Sequence, residues 1–174
     1  VFHTNSDTEV LLNGYLEWGD NFTDHIDVMF AIAIWDAKRH LLKLYRDRVG
    51  IKPLYYFYDG KNFAFASELK ALEIACESEA LQVDETSLYD FLGYRYVPAP
   101  KTLYRNCFKL PPAHWMVFDP VTGIIQRPCK YWNIEIPDEP CRISIDECCD
   151  ELRSLISASV RDQMVADAVS YTHL

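Results

Sequence analysis

Apolar residues first recur at helical spacing after Ser6. Val10, Leu11, Tyr15, Leu16 and Trp18 trace one face of a helix over residues 7–18. Ser6-Asp7-Thr8-Glu9 reads as a capping box that opens it, with Glu9 reaching back to the Ser6 amide, and Gly19 reads as its stop. The pattern then changes. Residues 29–36 form an apolar run with strand propensity, 37–40 are polar, and 41–47 return as strand, which predicts a β-hairpin. Residues 54–58 and 62–66 predict two more strands around the tight-turn signal Asp59-Gly60. The four strands read as a meander. The first is apolar on both faces, so its sheet is expected to be covered on both sides, by helices or by a second sheet.

Helical patterns resume at Ser67, read as the cap of a helix to about Ala75 with Leu69, Leu72 and Ile74 as its apolar set. Asp84 reads as the cap of a helix over residues 85–94 with Leu88, Phe91 and Leu92 inward. Residues 95–113 are proline-rich and irregular, and residues 115–119 and 124–126 flank the turn Thr122-Gly123 as a short hairpin. Residues 133–143, with Pro137 and Pro140 among acids, read as a linker. Ser144-Ile145-Asp146-Glu147 is a second capping box. It opens a helix ending near Asp167, with Cys148, Leu152, Leu155, Ile156, Val160 and Met164 on one face. No internal repeat is visible.

Composition narrows the classes. The chain has 174 residues, 49% of them hydrophobic, enough to bury a core. Its net charge of -9 offers no cationic surface to neutralise phosphates, which argues against nucleic-acid binding. No apolar run reaches the roughly 18 residues of a membrane helix, and no secretory signal is visible at the amino terminus. A start at Val1 reads as a chain that begins inside a longer protein. The six cysteines (Cys76, Cys107, Cys129, Cys141, Cys148 and Cys149) make no C-x-x-C pair and no metal-ligand spacing with histidine. They are expected to be reduced, mostly buried thiols of a cytoplasmic protein. His3, His25, His40, His114 and His173 show no relation to a nucleophile, and no phosphate-binding glycine loop is present.

Two places could carry chemistry. Arg46-Asp47-Arg48-Val49-Gly50-Ile51-Lys52-Pro53 lies where a strand leaves its sheet. Arg46 could hold a substrate carboxylate. The preferred reading is structural: Arg46 and Asp47 pair to fix a turn, Gly50 supplies a backbone conformation closed to side chains, and Pro53 starts the next strand. Asp7 is open between a helix-cap role, favoured by the helix dipole, and a contact to the ammonium of an amino-acid ligand. The aromatic run Tyr55-Tyr56-Phe57-Tyr58 reads as strand core rather than as a stacking platform for bases.

Taken in order, these segments resemble the glutamine-hydrolysing asparagine synthetases, among the class II glutamine amidotransferases. The carriers are Thr4-Asn5-Ser6-Asp7-Thr8-Glu9, Met29-Phe30-Ala31-Ile32-Ala33-Ile34-Trp35-Asp36, the turn from Arg46 to Tyr56, Phe65-Ala66-Ser67-Glu68 and Tyr131-Trp132. Leu110-Pro111-Pro112-Ala113-His114 joins them, with Ala113 where the family has glycine. The resemblance implies an α+β fold. It would comprise a partial N-terminal-nucleophile (αββα) sandwich over residues 1–132, a linker over 133–143 and the first helix of an α/β synthetase domain over 144–167. Residues 168–174 do not match the family.

The implied reaction of the intact enzyme converts aspartate, glutamine and ATP to asparagine, glutamate, AMP and pyrophosphate, with ATP and magnesium in the second site. Its nucleophile is an amino-terminal cysteine that this chain does not show, so no catalytic residue is assigned here. The family's glutamine-binding aspartate maps onto Asp7, which shifts the reading of Asp7 towards a ligand contact. On this view the chain is a fragment, inert alone. The alternative is a non-catalytic binding domain on an amidotransferase scaffold.

Overall fold

The computed structural model describes residues 2–4, 6–76, 81–139 and 143–164. The chain divides into two compact units, residues 1–134 and 135–174.

In the first unit, helix α1 spans Asp7–Trp18, and the Ser6 Oγ accepts the Thr8 amide at 3.3 Å. The box closes differently from expectation. The Glu9 carboxylate accepts the His3 and Thr4 amides (2.8 and 2.7 Å), while the Ser6 amide donates to the Thr4 hydroxyl. Glu9 therefore ties down the chain entering the helix. A 3-10 turn, Gly19–His25, follows directly and was not foreseen.

Strands β1 (Ala31–Asp36) and β2 (Leu41–Arg46) form the expected hairpin, with Ala31 opposite Arg46 and Asp36 opposite Leu41. The meander stops there. Strand β3 (Tyr55–Tyr58) pairs with β4 (Phe63–Ala66) and β5 (Cys107–Lys109), not with β2. Strand β6 (His114–Asp119) returns to β2 and also pairs with β7 (Ile124–Ile125) and β8 (Cys129–Lys130). Among the described residues there are thus two antiparallel sheets, one of five strands and one of three ordered β4-β3-β5. Alternation of apolar residues says that a segment is a strand but not which strand it pairs with. The three-residue β5 and two-residue β8 are too short to show a period.

Three apolar clusters stack these elements in layers. Tyr15, Phe22, Phe30 and Tyr45, with Leu11, Ile32, Ile34 and Trp115, pack α1 and the 3-10 turn on the outer face of the large sheet. Leu44, Leu54, Tyr56, Leu110 and Met116, joined by Phe63 and Phe108, fill the space between the sheets. There Phe63 and Phe118 stack with centroids 4.3 Å apart. Phe57, Leu72 and Cys107, with Leu69, pack helix α2 (Leu69–Ala75) on the outer face of the small sheet. The order is helix, sheet, sheet, helix, and the period-two alternation along β2 and β3 sorts their side chains between layers. Burying each large side chain here contributes roughly 1.5–3 kcal/mol before entropy is counted.

Several expectations need correction. The large sheet is covered on both faces as expected, by α1 and by the small sheet, but β1, at the end of the described strand order, leaves Trp35, opposite Leu42, 52% exposed. The residue before α2 is Glu68, without a side-chain cap, so Ser67 does not cap it. Helix α3 (Glu85–Tyr94) has the expected bounds and the Asp84 cap, but Leu88, Phe91 and Leu92 are exposed and Ser87 is its buried residue. Of the described cysteines, Cys107 is buried, Cys76 is half-buried and Cys129, Cys148 and Cys149 are exposed. Cys141 lies outside the described residues.

In the second unit, helix α4 spans Ile145–Gln163. Its capping box is reciprocal: Ser144 Oγ accepts the Glu147 amide and the Glu147 carboxylate accepts the Ser144 amide at 2.9 Å. Residues 135–139 form neither helix nor strand. The expected helix end at Asp167, Pro140 of the linker and the non-matching tail 168–174 lie outside the described residues. No helix among the described residues is long and apolar enough to cross a membrane.

Candidate functional site

The charged turn after β2 is built from the backbone outward. Asp47 is 2% exposed, and its carboxylate accepts three backbone amides: Val49 (3.2 Å) and Ile51 (2.9 Å) on Oδ1, and Lys52 (2.9 Å) on Oδ2. Arg46 donates to three carbonyls: Lys52 through Nε at 2.9 Å, Leu110 through Nη1 at 2.6 Å and Gly50 through Nη2 at 2.9 Å. Burial draws the Arg46 pKa down, partly opposed by the neighbouring Asp47 charge. Among the described residues no hydrogen bond or ion pair joins Arg46 to Asp47, contrary to the expected pairing. Each grips the turn separately: the carboxylate accepts backbone amides and the guanidinium donates to backbone carbonyls. The peptide groups around Lys52 are held from both sides. With its donors turned to carbonyls, Arg46 is engaged in the turn itself.

The surrounding segments lock the same place. The Asp47 amide donates to the Phe30 carbonyl, and the Asp47 carbonyl accepts the Ala113 amide at 2.9 Å. Ala113 is buried at φ +58, a left-handed conformation that glycine adopts with less strain. The Tyr131 hydroxyl donates to the Arg46 carbonyl at 2.7 Å, and burial pushes its pKa up to about 12. At pH 8, Tyr131→Phe is expected to cost about 1 kcal/mol for the lost bond. The raised pKa belongs to the folded state, so the parent loses stability as pH rises from about 10 towards 12, and the variant is expected to lack that part of the loss. Urea unfolding at pH 8 and pH 11 checks both; a variant deficit that grows with pH would contradict the assignment.

Pro53 and Lys52 face a cavity of about 590 Å³. Asp7 from the start of α1, Phe30 and Ala31 from the entry to β1, and Ser67 from the end of β4 line it as well. Most of the remaining wall is aliphatic, including Val10, Leu11, Val28 and Met29. Folding thus brings Asp7 and the far end of the charged turn to one chamber. Arg46, Asp47 and Gly50 do not line it; they shape the segment that does. The sequence reads Lys52 only as part of the charged turn and Ser67 only as a helix cap. Each lies within a recognisable motif, but nothing local says that the side chain meets a cavity. Among the described residues no histidine or cysteine lines the chamber. Its chemistry is that of a binding site: a carboxylate at the amino end of a helix, where free amides favour negative charge, beside an ammonium and a hydroxyl on apolar walls.

Residues 1–132 match the family described as a glutamine amidotransferase domain. The chain is 38% identical over 174 residues to asparagine synthetase [glutamine-hydrolyzing] 3 of Bacillus subtilis, covering 99% of this chain and 27% of that protein. It is 34% identical to a putative asparagine synthetase [glutamine-hydrolyzing] 2 of Methanocaldococcus jannaschii, covering 94% of this chain and 32% of the relative. It is also 32% identical to asparagine synthetase [glutamine-hydrolyzing] 1 of Bacillus subtilis, with 96% and 26% covered. The chain therefore spans about a quarter to a third of the length of these relatives. With the family match covering residues 1–132 of 174, this chain belongs to the glutamine amidotransferase domain family.

Proposed function

We propose that this chain is part of a glutamine-hydrolysing asparagine synthetase and supplies the wall that grips the amino group of glutamine. The observation that carries this reading is Asp7, exposed at the start of α1 and lining the 590 Å³ cavity. A carboxylate there accepts hydrogen bonds from an α-ammonium group while the apolar walls receive the aliphatic part of the substrate. In this reading the layered unit is part of an N-terminal-nucleophile sandwich over residues 1–132, followed by a linker over 133–143 and the first synthetase helix over 144–167. An amino-terminal cysteine of the complete polypeptide attacks the glutamine amide, and the ammonia released reaches aspartate activated by ATP. Glutamine, aspartate and ATP are then the substrates, and asparagine, glutamate, AMP and pyrophosphate the products.

Among the described residues, no group of three or more His, Cys, Asp or Glu side chains is placed to hold a metal ion. Magnesium, with ATP, belongs in this reading to the second site of the complete polypeptide.

The test is Asp7→Asn in the full-length protein, with glutamate release followed against glutamine concentration. The KM for glutamine is expected to rise about tenfold or more with kcat nearly unchanged, the pattern of a lost contact made equally in ground and transition states. An unchanged KM would refute the assignment.

A further inference from the structure

Lys43 is the charged residue that the outer face of the large sheet buries deepest. It occupies the middle of β2 between Ile34 and Val117 on the flanking strands and is 3% exposed. An apolar residue would suit that position, because burying an ammonium carries a desolvation penalty that only good partners offset. The partners are specific. Its Nζ meets Asp20 Oδ1 at 2.5 Å, and the Tyr45 hydroxyl donates to the same oxygen. The Tyr15 and Trp115 rings lie 5.3 and 5.6 Å from the ammonium. Asp20 sits in the 3-10 turn that leaves α1, and Tyr15 is the buried residue of α1 itself. The Tyr15 hydroxyl donates to Asp36 at the end of β1, 3.1 Å away.

All the directional contacts described between α1 with its following turn and the sheet therefore lie towards the carboxyl end of the helix. The rest of the docking is apolar, through side chains such as Leu11. Apolar packing is non-directional and tolerates small slides along the helix axis, whereas a short ion pair on a buried ammonium favours one register. Helix α1 is a rigid rod of 12 residues, about 18 Å long, with Asp7 at its other end in the cavity.

We infer that the ion pair of buried Lys43 with half-buried Asp20 is a positioning device: it fixes the register of α1 on the sheet and thereby the place of the Asp7 carboxylate in the glutamine cavity. This rests on the reading of Asp7 given above. Displacing a binding group by about 1 Å is enough to lose much of its contribution.

The experiment replaces the pair by near-isosteric uncharged residues, Lys43→Met with Asp20→Asn, in the full-length protein. Leaving neither charge unpaired avoids the penalty of a lone buried ion. The KM for glutamine is expected to rise about fivefold or more with kcat within about twofold, as for a weakened uniform contact. The same two substitutions added to Asp7→Asn are expected to raise KM no further, because both act through one carboxylate. A full additional rise in that background overturns the positioning role, since general loosening of the fold would add. Should the paired variant fail to fold, Tyr45→Phe removes one hydrogen bond to Asp20, and the same test applies with a smaller rise. An unchanged KM for the pair, beside a raised KM for Asp7→Asn, overturns this inference alone. An unchanged KM for Asp7→Asn overturns the glutamine reading and the inference with it.

Discussion

Replacing Asp47 by alanine is expected to cost about 3–5 kcal/mol of stability, the largest loss from any single substitution in the charged turn. Three backbone amides, those of Val49, Ile51 and Lys52, end on this one buried carboxylate. Hydrogen bonds to a charged group contribute about 1.5–3 kcal/mol each when measured singly, and a buried donor left without a partner adds its own desolvation cost. The contributions do not add in full, because the turn can relax towards water once it is opened. Asp47→Asn is expected to cost less, about 2 kcal/mol, because the amide oxygen still accepts while its NH2 faces a backbone donor. Urea unfolding of the two variants beside the parent gives the ordering. A loss below about 1 kcal/mol for Asp47→Ala would mean that other contacts hold the turn.

The second large effect is expected at Gly50. Its φ is +71, and a Cβ built there would lie 2.8 Å from Pro112 Cγ and 3.2 Å from Arg46 Cζ. The neighbours cannot readily give way. The proline ring is covalently closed, and the guanidinium is fixed by three carbonyls. Gly50→Ala therefore combines left-handed backbone strain with overpacking, and about 2–4 kcal/mol is expected. Gly60 separates the two causes. Its φ is +94 with nothing within 4 Å of the added atom, so Gly60→Ala should show strain alone, about 1 kcal/mol. Equal losses at both positions would remove the close approach as a cause.

Both predictions concern the segment that carries the chain from one sheet to the other, and this segment also shows how far sequence reasoning reached. Asp47 meets amides two, four and five residues ahead, an arrangement a local motif can encode. Arg46 reaches Gly50 and Lys52 locally but also Leu110, 64 residues away. The expected Arg46–Asp47 pair is the simplest partnership for adjacent opposite charges. It lost to backbone groups that tertiary packing placed within reach.

The sequence alone determined the elements whose signals lie within one turn or one hairpin. The bounds of α1 and α3, the first hairpin and the reciprocal cap of α4 follow from caps, periodicity and turn residues, because those interactions span only a few positions. Motif order also sufficed for the family. Only the tertiary structure decided which strands share a sheet, which face of α3 is exposed, and that Asp7 and Lys52 line one cavity. Partners so far apart in the chain are selected by closing long loops and burying surface together. That free energy belongs to the assembled layers and leaves no mark on any short stretch of residues.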